Sequence, residues 1–393
     1  MEVVMHHSEQ LRTRIAARIK LEGAAGMKLG AHSEQVRCLT FHDYMAMCLY
    51  DPDYGYYQSG KVRVGKTGDF YTSSAVGSIM GEKLAGYIAQ QVEGYGGCAD
   101  AAEWGAGTGR LSHQIIHEWE QAGHEWIKQM NYSVIDGNPV HLEEAQRVGK
   151  QEGRPLRLAG LRYMLPKETE ACDWQAKPTI LLANELLDAF PVHRIVKREG
   201  QLWELGVTFM EEELRSEGGT FQYAYLPLSD PLIEESLRAD GIHLREGQEL
   251  EVNLAAERFI DWMADRIAEG MFIIVDYGHE AVELSASHRM RGTLLCYKDH
   301  RAHDDPFQFI GEQDITAHVN FTACRRAAEK AGWQVIYYDT QKQFLLDQGL
   351  LGDLTAHDGS DPFGEAARRN RSIRQLLLGD SMSESFKVMV LQK

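Results

Sequence analysis

Nowhere does this 393-residue chain approach the ~18 consecutive uncharged apolar residues that a membrane-spanning helix needs. Positive charge is scarce as well. Forty-one Lys and Arg against 58 Asp and Glu leave a formal charge of −17, so the field of the whole protein repels nucleic-acid backbones and anionic lipid. Cysteine is sparse: six residues, at 38, 48, 98, 172, 296 and 324, with no C-x-x-C pair. That spacing excludes a disulfide framework and a thiolate zinc site, and it fits free thiols in a reducing compartment. No metal site is expected elsewhere, and no G-x-S-x-G elbow supports a serine hydrolase. No repeat or low-complexity tract is visible, and 44% apolar content is too high for intrinsic disorder. The first residues mix Glu2, His6, His7, Glu9 and Arg12 without an apolar core, so they do not read as a secretory signal, and their acidic residues argue against a transit peptide. The expectation is a cytoplasmic protein.

What is present changes texture near residue 98. The first 97 residues read as a helical, loop-rich cap. Ser8 can cap a helix carrying Leu11, Ile15, Ile19 and Leu21, and a second helix over 41–50 should stop at Asp51-Pro52. A third spans about 75–92. From residue 98 short apolar runs at 99–104, 131–135, 179–183 and 271–276 alternate with helical patterns at 110–121 and 139–149. That rhythm predicts a parallel α/β sheet covered on both faces. Residues 193–253 break it with a hairpin-like pattern around Glu199-Gly200 and read as an insertion. A helix near 321–331 and strands at 333–338 and 386–392 close the chain, the two strands as a final antiparallel pair.

Ala101-Ala102-Glu103-Trp104-Gly105-Ala106-Gly107-Thr108-Gly109-Arg110 lies where a strand should give way to a helix. Glycines let such a turn bend sharply and approach a ligand closely. A dinucleotide fingerprint would read G-x-G-x-x-G, but here the third glycine comes one residue early. Glu103 would also sit badly beside a pyrophosphate. It suits S-adenosylmethionine (SAM), whose amino-acid end carries an ammonium. Asp136, at the end of the next strand, can accept hydrogen bonds from both ribose hydroxyls.

The apolar run 179–183 delivers Asn184-Glu185-Leu186-Leu187-Asp188 to the sheet edge where α/β proteins bind ligands. Asn184 offers an acceptor and a donor, and Glu185 with Asp188 forms an acidic pair able to orient a guanidinium. Methyl transfer asks mainly for such in-line positioning. Asp276 follows another apolar strand and either lines the same edge or forms a turn. His300 and His318 are candidates for proton handling.

These blocks, taken together and in order, resemble the MidA-like family of class I SAM-dependent methyltransferases. The blocks are Tyr50-Asp51-Pro52 with Tyr54-Gly55-Tyr56-Tyr57, Gly68-Asp69-Phe70-Tyr71-Thr72, Glu103 to Gly109, Asn184 to Pro191 and Asp276-Tyr277-Gly278. Further on come Gly292-Thr293-Leu294, Asp314 to Phe321, and Thr340 to Leu345. The resemblance spans about 41–350. The family includes a mitochondrial complex I assembly factor that methylates a protein arginine, so the resemblance implies a protein substrate. It also implies a Rossmann-like SAM domain with a helical N-terminal cap and an inserted substrate-facing region, and a cofactor contact from Gly68, Asp69 and Phe70. Two departures stand out. Asp136-Gly137-Asn138-Pro139 replaces the usual glutamate, then isoleucine or valine and serine, and Leu186 and Leu187 stand where phenylalanines are common. The competing reading is a binding or assembly factor with a vestigial SAM pocket, against which the intact Glu103, Asp136 and Asn184 argue. A homodimer is plausible, without an interface signature.

Overall fold

The computed structural model describes residues 7–30, 34–58, 79–151, 157–211, 219–356, 364–378 and 382–393. The chain divides into two compact units.

The first unit comprises Val62–Leu187, Ile260–Gly278 and Ala327–Lys393. Its seven strands, numbered along the chain, are β1 (Asp100–Trp104), β2 (Asn131–Ile135), β3 (Gly160–Met164), β4 (Thr179–Asn184), β5 (Gly270–His279), β6 (Gln334–Thr340) and β7 (Phe386–Gln392). They lie side by side in the order β3-β2-β1-β4-β5-β7-β6. The first five are parallel, in registers such as Glu103 opposite Val134 and Leu182. β7 runs antiparallel between β5 and β6, with Tyr277 opposite Phe386. This is the class I sheet with its expected antiparallel ending.

Patterning explains the layers. Met271, Phe272, Ile273, Ile274 and Val275 of β5 are all buried, as a central strand covered on both faces demands. The flanking helix Arg110–Ala122 turns Leu111, Ile115, Ile116 and Trp119 to one side. Trp119 is 1% exposed, and its indole N–H donates to the Ala85 carbonyl at 2.9 Å, so a large apolar body is buried without orphaning its polar atom. The half-buried edge strand β3 was not legible beforehand, because Gly160-Leu161-Arg162-Tyr163-Met164 lacks both a continuous apolar run and a clean alternation.

The second unit comprises Met1–Lys61, Asp188–Phe259 and His279–Arg326. Residues 1–97 are therefore not a separate helical cap. Strands Ala24–Lys28 and Gln35–Thr40 join Gln201–Met210 and Thr220–Leu226 in a closed antiparallel circuit, extended by His193–Arg198 and Glu249–Val252. The expected hairpin is real, with Arg198 paired to Gln201 across Glu199-Gly200, both at positive φ. The helix Phe41–Tyr50 stops at Asp51 as read, and Thr40 caps its start by accepting from the Asp43 N–H at 3.0 Å. A cavity of about 520 Å³ in this unit includes Arg194, Tyr223 and Glu249 in its lining. There the buried Arg194 bonds Glu249, Glu251, Tyr223 and the Arg291 carbonyl.

Candidate functional site

β1 ends at Trp104 and the chain turns through Gly105, Gly107 and Gly109, whose φ values are 73°, 53° and 67°. A Cβ on Gly105 would lie 2.8 Å from Leu186 Cδ1, and one on Gly109 2.9 Å from Ala145 Cβ. Both requirements that select glycine, left-handed backbone and close approach, are met at 105 and 109. Gly105→Ala combines left-handed strain with a contact Leu186 must relieve. The expected cost is about 2 kcal/mol, read as a lower urea midpoint at unchanged slope.

Asp136, at the end of β2, holds this turn. Its Oδ2 accepts from the Gly107 N–H at 2.7 Å, and its Oδ1 accepts from the Asn138 N–H at 2.8 Å and lies 3.2 Å from His141 Nδ1. Glu103 is 3% exposed and accepts from the Ser112 hydroxyl. Burial, with a smaller contribution from the Asp136 charge, pushes its carboxyl up to about 7 despite the Ser112 bonds. Glu103 is thus a buried acid at the edge of ionisation, able to receive a cation.

Beside them β4 delivers Asn184. Glu185 follows with φ 52°, its N–H donating to the Val275 carbonyl at 2.8 Å. Asn184 Nδ2 lies 3.4 Å from Glu185 Oε1, while Asn184 Oδ1 is buried without a partner among the described residues. Asn138 Nδ2 and His141 Nε2 are in the same condition. Buried polar atoms are rarely left unpaired, so three of them at the carboxyl edge of one sheet mark a place built for a polar ligand. A buried carboxylate for an ammonium, uncharged polar atoms near Asp136 and a close-approach glycine turn fit SAM. They do not fit a pyrophosphate.

The two members of the expected acidic pair fall on either side of the boundary between the units. Glu185 belongs to the sheet unit, whereas Asp188 is the first residue of the second segment of the other unit. There Asp188 is buried, and its carbonyl accepts from the Ala317 N–H at 3.0 Å. His318 lies in the same unit with its ring 5.2 Å from that of His279. Burial first, then His279 and Arg289, lowers it to about 4, so it is neutral near pH 7. His300 sits on a turn at φ 61°. Gly68, Asp69 and Phe70 lie outside the described residues. So does all of Gly60-Lys61-Val62-Arg63-Val64-Gly65-Lys66-Thr67, which has the G-x-x-x-x-G-K-T spacing of a phosphate loop. The last described residues before it, Tyr56–Gln58, form a short 3-10 turn rather than a strand of the parallel sheet.

Among the described residues no group of three or more His, Cys, Asp or Glu could hold a metal ion, and no helix is long and apolar enough to cross a membrane. The six cysteines are free, and burial pushes the Cys48 thiol up to about 12, making it a packing group. Ser112, Asn138 and His141 were not foreseen as site residues. The one signal that could have found the last two is the polar run immediately after β2.

Comparison with known proteins agrees with this geometry. Residues 83–339 match the family described as "Putative S-adenosyl-L-methionine-dependent methyltransferase". "Protein arginine methyltransferase NDUFAF7, mitochondrial" of Danio rerio is 26% identical over 370 residues, covering 89% of this chain and 82% of that protein. The protein of the same name from Rattus norvegicus is 27% identical, covering 90% and 80%. The crystal structure of a Burkholderia thailandensis protein bound to S-adenosyl-homocysteine superposes with a TM-score of 0.83 at 29% identity, covering 98% of this chain and 92% of that one. The mitochondrial names of the relatives overturn the cytoplasmic expectation. That expectation came from N-terminal composition and free thiols, and a reducing compartment is not specific to the cytoplasm. The parallel sheet with its antiparallel ending, the SAM-type glycine turn and the family match together establish that this chain belongs to the S-adenosyl-L-methionine-dependent methyltransferase family, with SAM as its cofactor.

Proposed function

We propose that this methyltransferase transfers the SAM methyl group to a guanidino nitrogen of an arginine in a protein substrate. The observation that carries the reading is Asn184 Oδ1, a buried acceptor without a partner among the described residues, adjoining the Glu185 carboxylate at the end of β4. An amide oxygen and a carboxylate side by side suit the forked N–H donors of a guanidinium. The names of the relatives support the same substrate class.

Bound SAM supplies an electrophilic methyl group on a sulfonium. The chain's own contribution is placement. Glu103 would take the ammonium of the cofactor's amino-acid end. Asp136, with Asn138 and His141 beside it, would take the ribose hydroxyls, and the Gly105–Gly109 turn would let the backbone come close. Asn184 and Glu185 would hold the guanidinium so that one nitrogen faces the methyl group in line, which is where most of the rate enhancement in such a transfer resides. Asp188 is the second acidic candidate, buried in its own unit.

Methyl-labelled SAM incubated with the protein and a lysate, followed by mass spectrometry of the labelled residue, tests the reading. Labelled methylarginine supports it, and label found only on lysine, carboxylate or small molecules would sink it. Asn184→Ala should lower transfer roughly 10- to 100-fold while leaving S-adenosyl-homocysteine affinity within about threefold.

A further inference from the structure

We infer that Asp276 is a positioning residue for methyl transfer: its buried carboxylate holds the turn after β4 in the backbone conformation that presents Asn184 and Glu185. The inference rests on the arginine-transfer reading above.

Glu185 is a non-glycine residue at φ 52°, a region that side chains with a Cβ enter at a cost. Such a residue persists only where its surroundings over-determine it, and here they do. Its own N–H is bonded to the Val275 carbonyl at 2.8 Å. The next two amides, Leu186 and Leu187, both donate to Asp276 Oδ2, at 3.2 and 2.9 Å. Asp276 is 1% exposed, and its Oδ1 accepts from the Tyr277 N–H at 2.9 Å, which fixes the carboxylate plane. On the other side the Leu186 side chain lies against Gly105, where a Cβ would be 2.8 Å away. The turn is therefore clamped between an anion on β5 and the first glycine of the cofactor turn.

The balance of effects favours a held conformation. Hydrogen bonds to a buried anion are stronger than neutral ones, and two of them outweigh one left-handed residue. Without the anion, Glu185 would relax to negative φ, and its side chain, with that of Asn184, would leave the direction set by the end of β4. Asp136, Asn138 and Glu103 are held by other partners, so the cofactor half of the site would stay as it is. Asp276 need not touch either reactant to matter.

The full-length protein carrying Asp276→Asn or Asp276→Ala tests this with three measurements. Hydrogen exchange should quicken at least tenfold at the Leu186 and Leu187 amides, less in Asn than in Ala because asparagine keeps one acceptor oxygen. Exchange in β1 and β2 should not change. Calorimetric affinity for S-adenosyl-homocysteine should stay within threefold, while kcat for transfer from labelled SAM to an arginine-containing peptide mixture falls at least tenfold with an unchanged KM for SAM. Unchanged exchange at 186–187 would overturn the inference, and so would loss of cofactor affinity in step with transfer, since that is what a merely structural role gives. Should Ala fail to fold, Asn carries the test alone. A wild-type protein that transfers nothing to arginine sinks the functional reading instead, and the exchange and affinity measurements still decide whether Asp276 sets the turn.

Discussion

Glu103→Gln should make the protein more stable at pH 8 and yet lose most of its hold on the cofactor. The carboxyl is buried, and its ionisation is displaced from 4.5 to about 7, mainly by desolvation. The folded protein thus holds this proton more tightly than the unfolded chain does. The stability it confers is complete below pH 4.5 and is lost as pH rises through 7. At pH 8 the charged form therefore costs on the order of 3 kcal/mol. Glutamine is nearly isosteric, can still accept from Ser112 and carries no charge, so the variant should melt several degrees higher at pH 8 and show little gain at pH 4. The opposite holds for SAM. An ammonium bound by Glu103 needs the carboxylate, so wild-type affinity for S-adenosyl-homocysteine, which keeps that ammonium, should rise roughly tenfold between pH 6 and pH 8. In the glutamine variant that rise should vanish and affinity at pH 8 should drop about 30- to 100-fold. Calorimetry across pH and a thermal melt at two pH values decide both halves. Equal affinity of variant and wild type would remove Glu103 as the ammonium's partner.

The sheet was readable because its central strands are apolar on both faces and its turns carry chemistry. The run 179–183 and the glycines at 105, 107 and 109 can form little else, and the strands observed there agree to within a residue or two. The second unit was readable only in its hairpin and its helices, and the reason is physical. Ala24-Ala25-Gly26-Met27-Lys28 has no β-branched residue and a glycine at its centre. It is a strand only because Gln35–Thr40 and Thr220–Leu226 pair with it, and the latter lies nearly 200 residues away in the chain. Local propensity cannot report so distant a partner, so residues 1–97 read as a helical cap. The site divides in the same manner. Glu103 and Asp136 follow from strand ends, which are local. Asp276 was ambiguous because its role depends on two amides about 90 residues earlier. His141 was silent because a histidine in the first turn of a helix has no signature until Asp136 is seen beside it.

Asp136→Ala should be the most damaging single change at this edge of the sheet, in stability and in binding together. The carboxylate is 9% exposed and receives two backbone N–H groups, from Gly107 and Asn138, with His141 Nδ1 as a third neighbour. Removing it strands buried donors that no described group nearby can satisfy, at about 1–3 kcal/mol each, so roughly 2–5 kcal/mol in all. The loss is local in origin but not in effect, because the Gly107 amide is the middle of the glycine turn and its release frees the backbone that must meet the cofactor. Affinity for S-adenosyl-homocysteine should therefore fall more than about 100-fold, beyond what one ribose contact accounts for. Asp136→Asn separates the two contributions. Asparagine can accept from one of the amides but turns an N–H toward the other, so it should recover part of the stability and little of the affinity. His141→Ala provides the control. It leaves both backbone amides bonded to Asp136, so its effect on the urea midpoint should be smaller than that of Asp136→Ala, with any loss of affinity reporting the imidazole alone. If Asp136→Ala and His141→Ala weaken binding equally while only the former unfolds easily, the carboxylate organises the turn and the imidazole contacts the ligand. If Asp136→Ala binds like wild type, neither the turn nor the ribose depends on it and the cofactor half of the site must be redrawn.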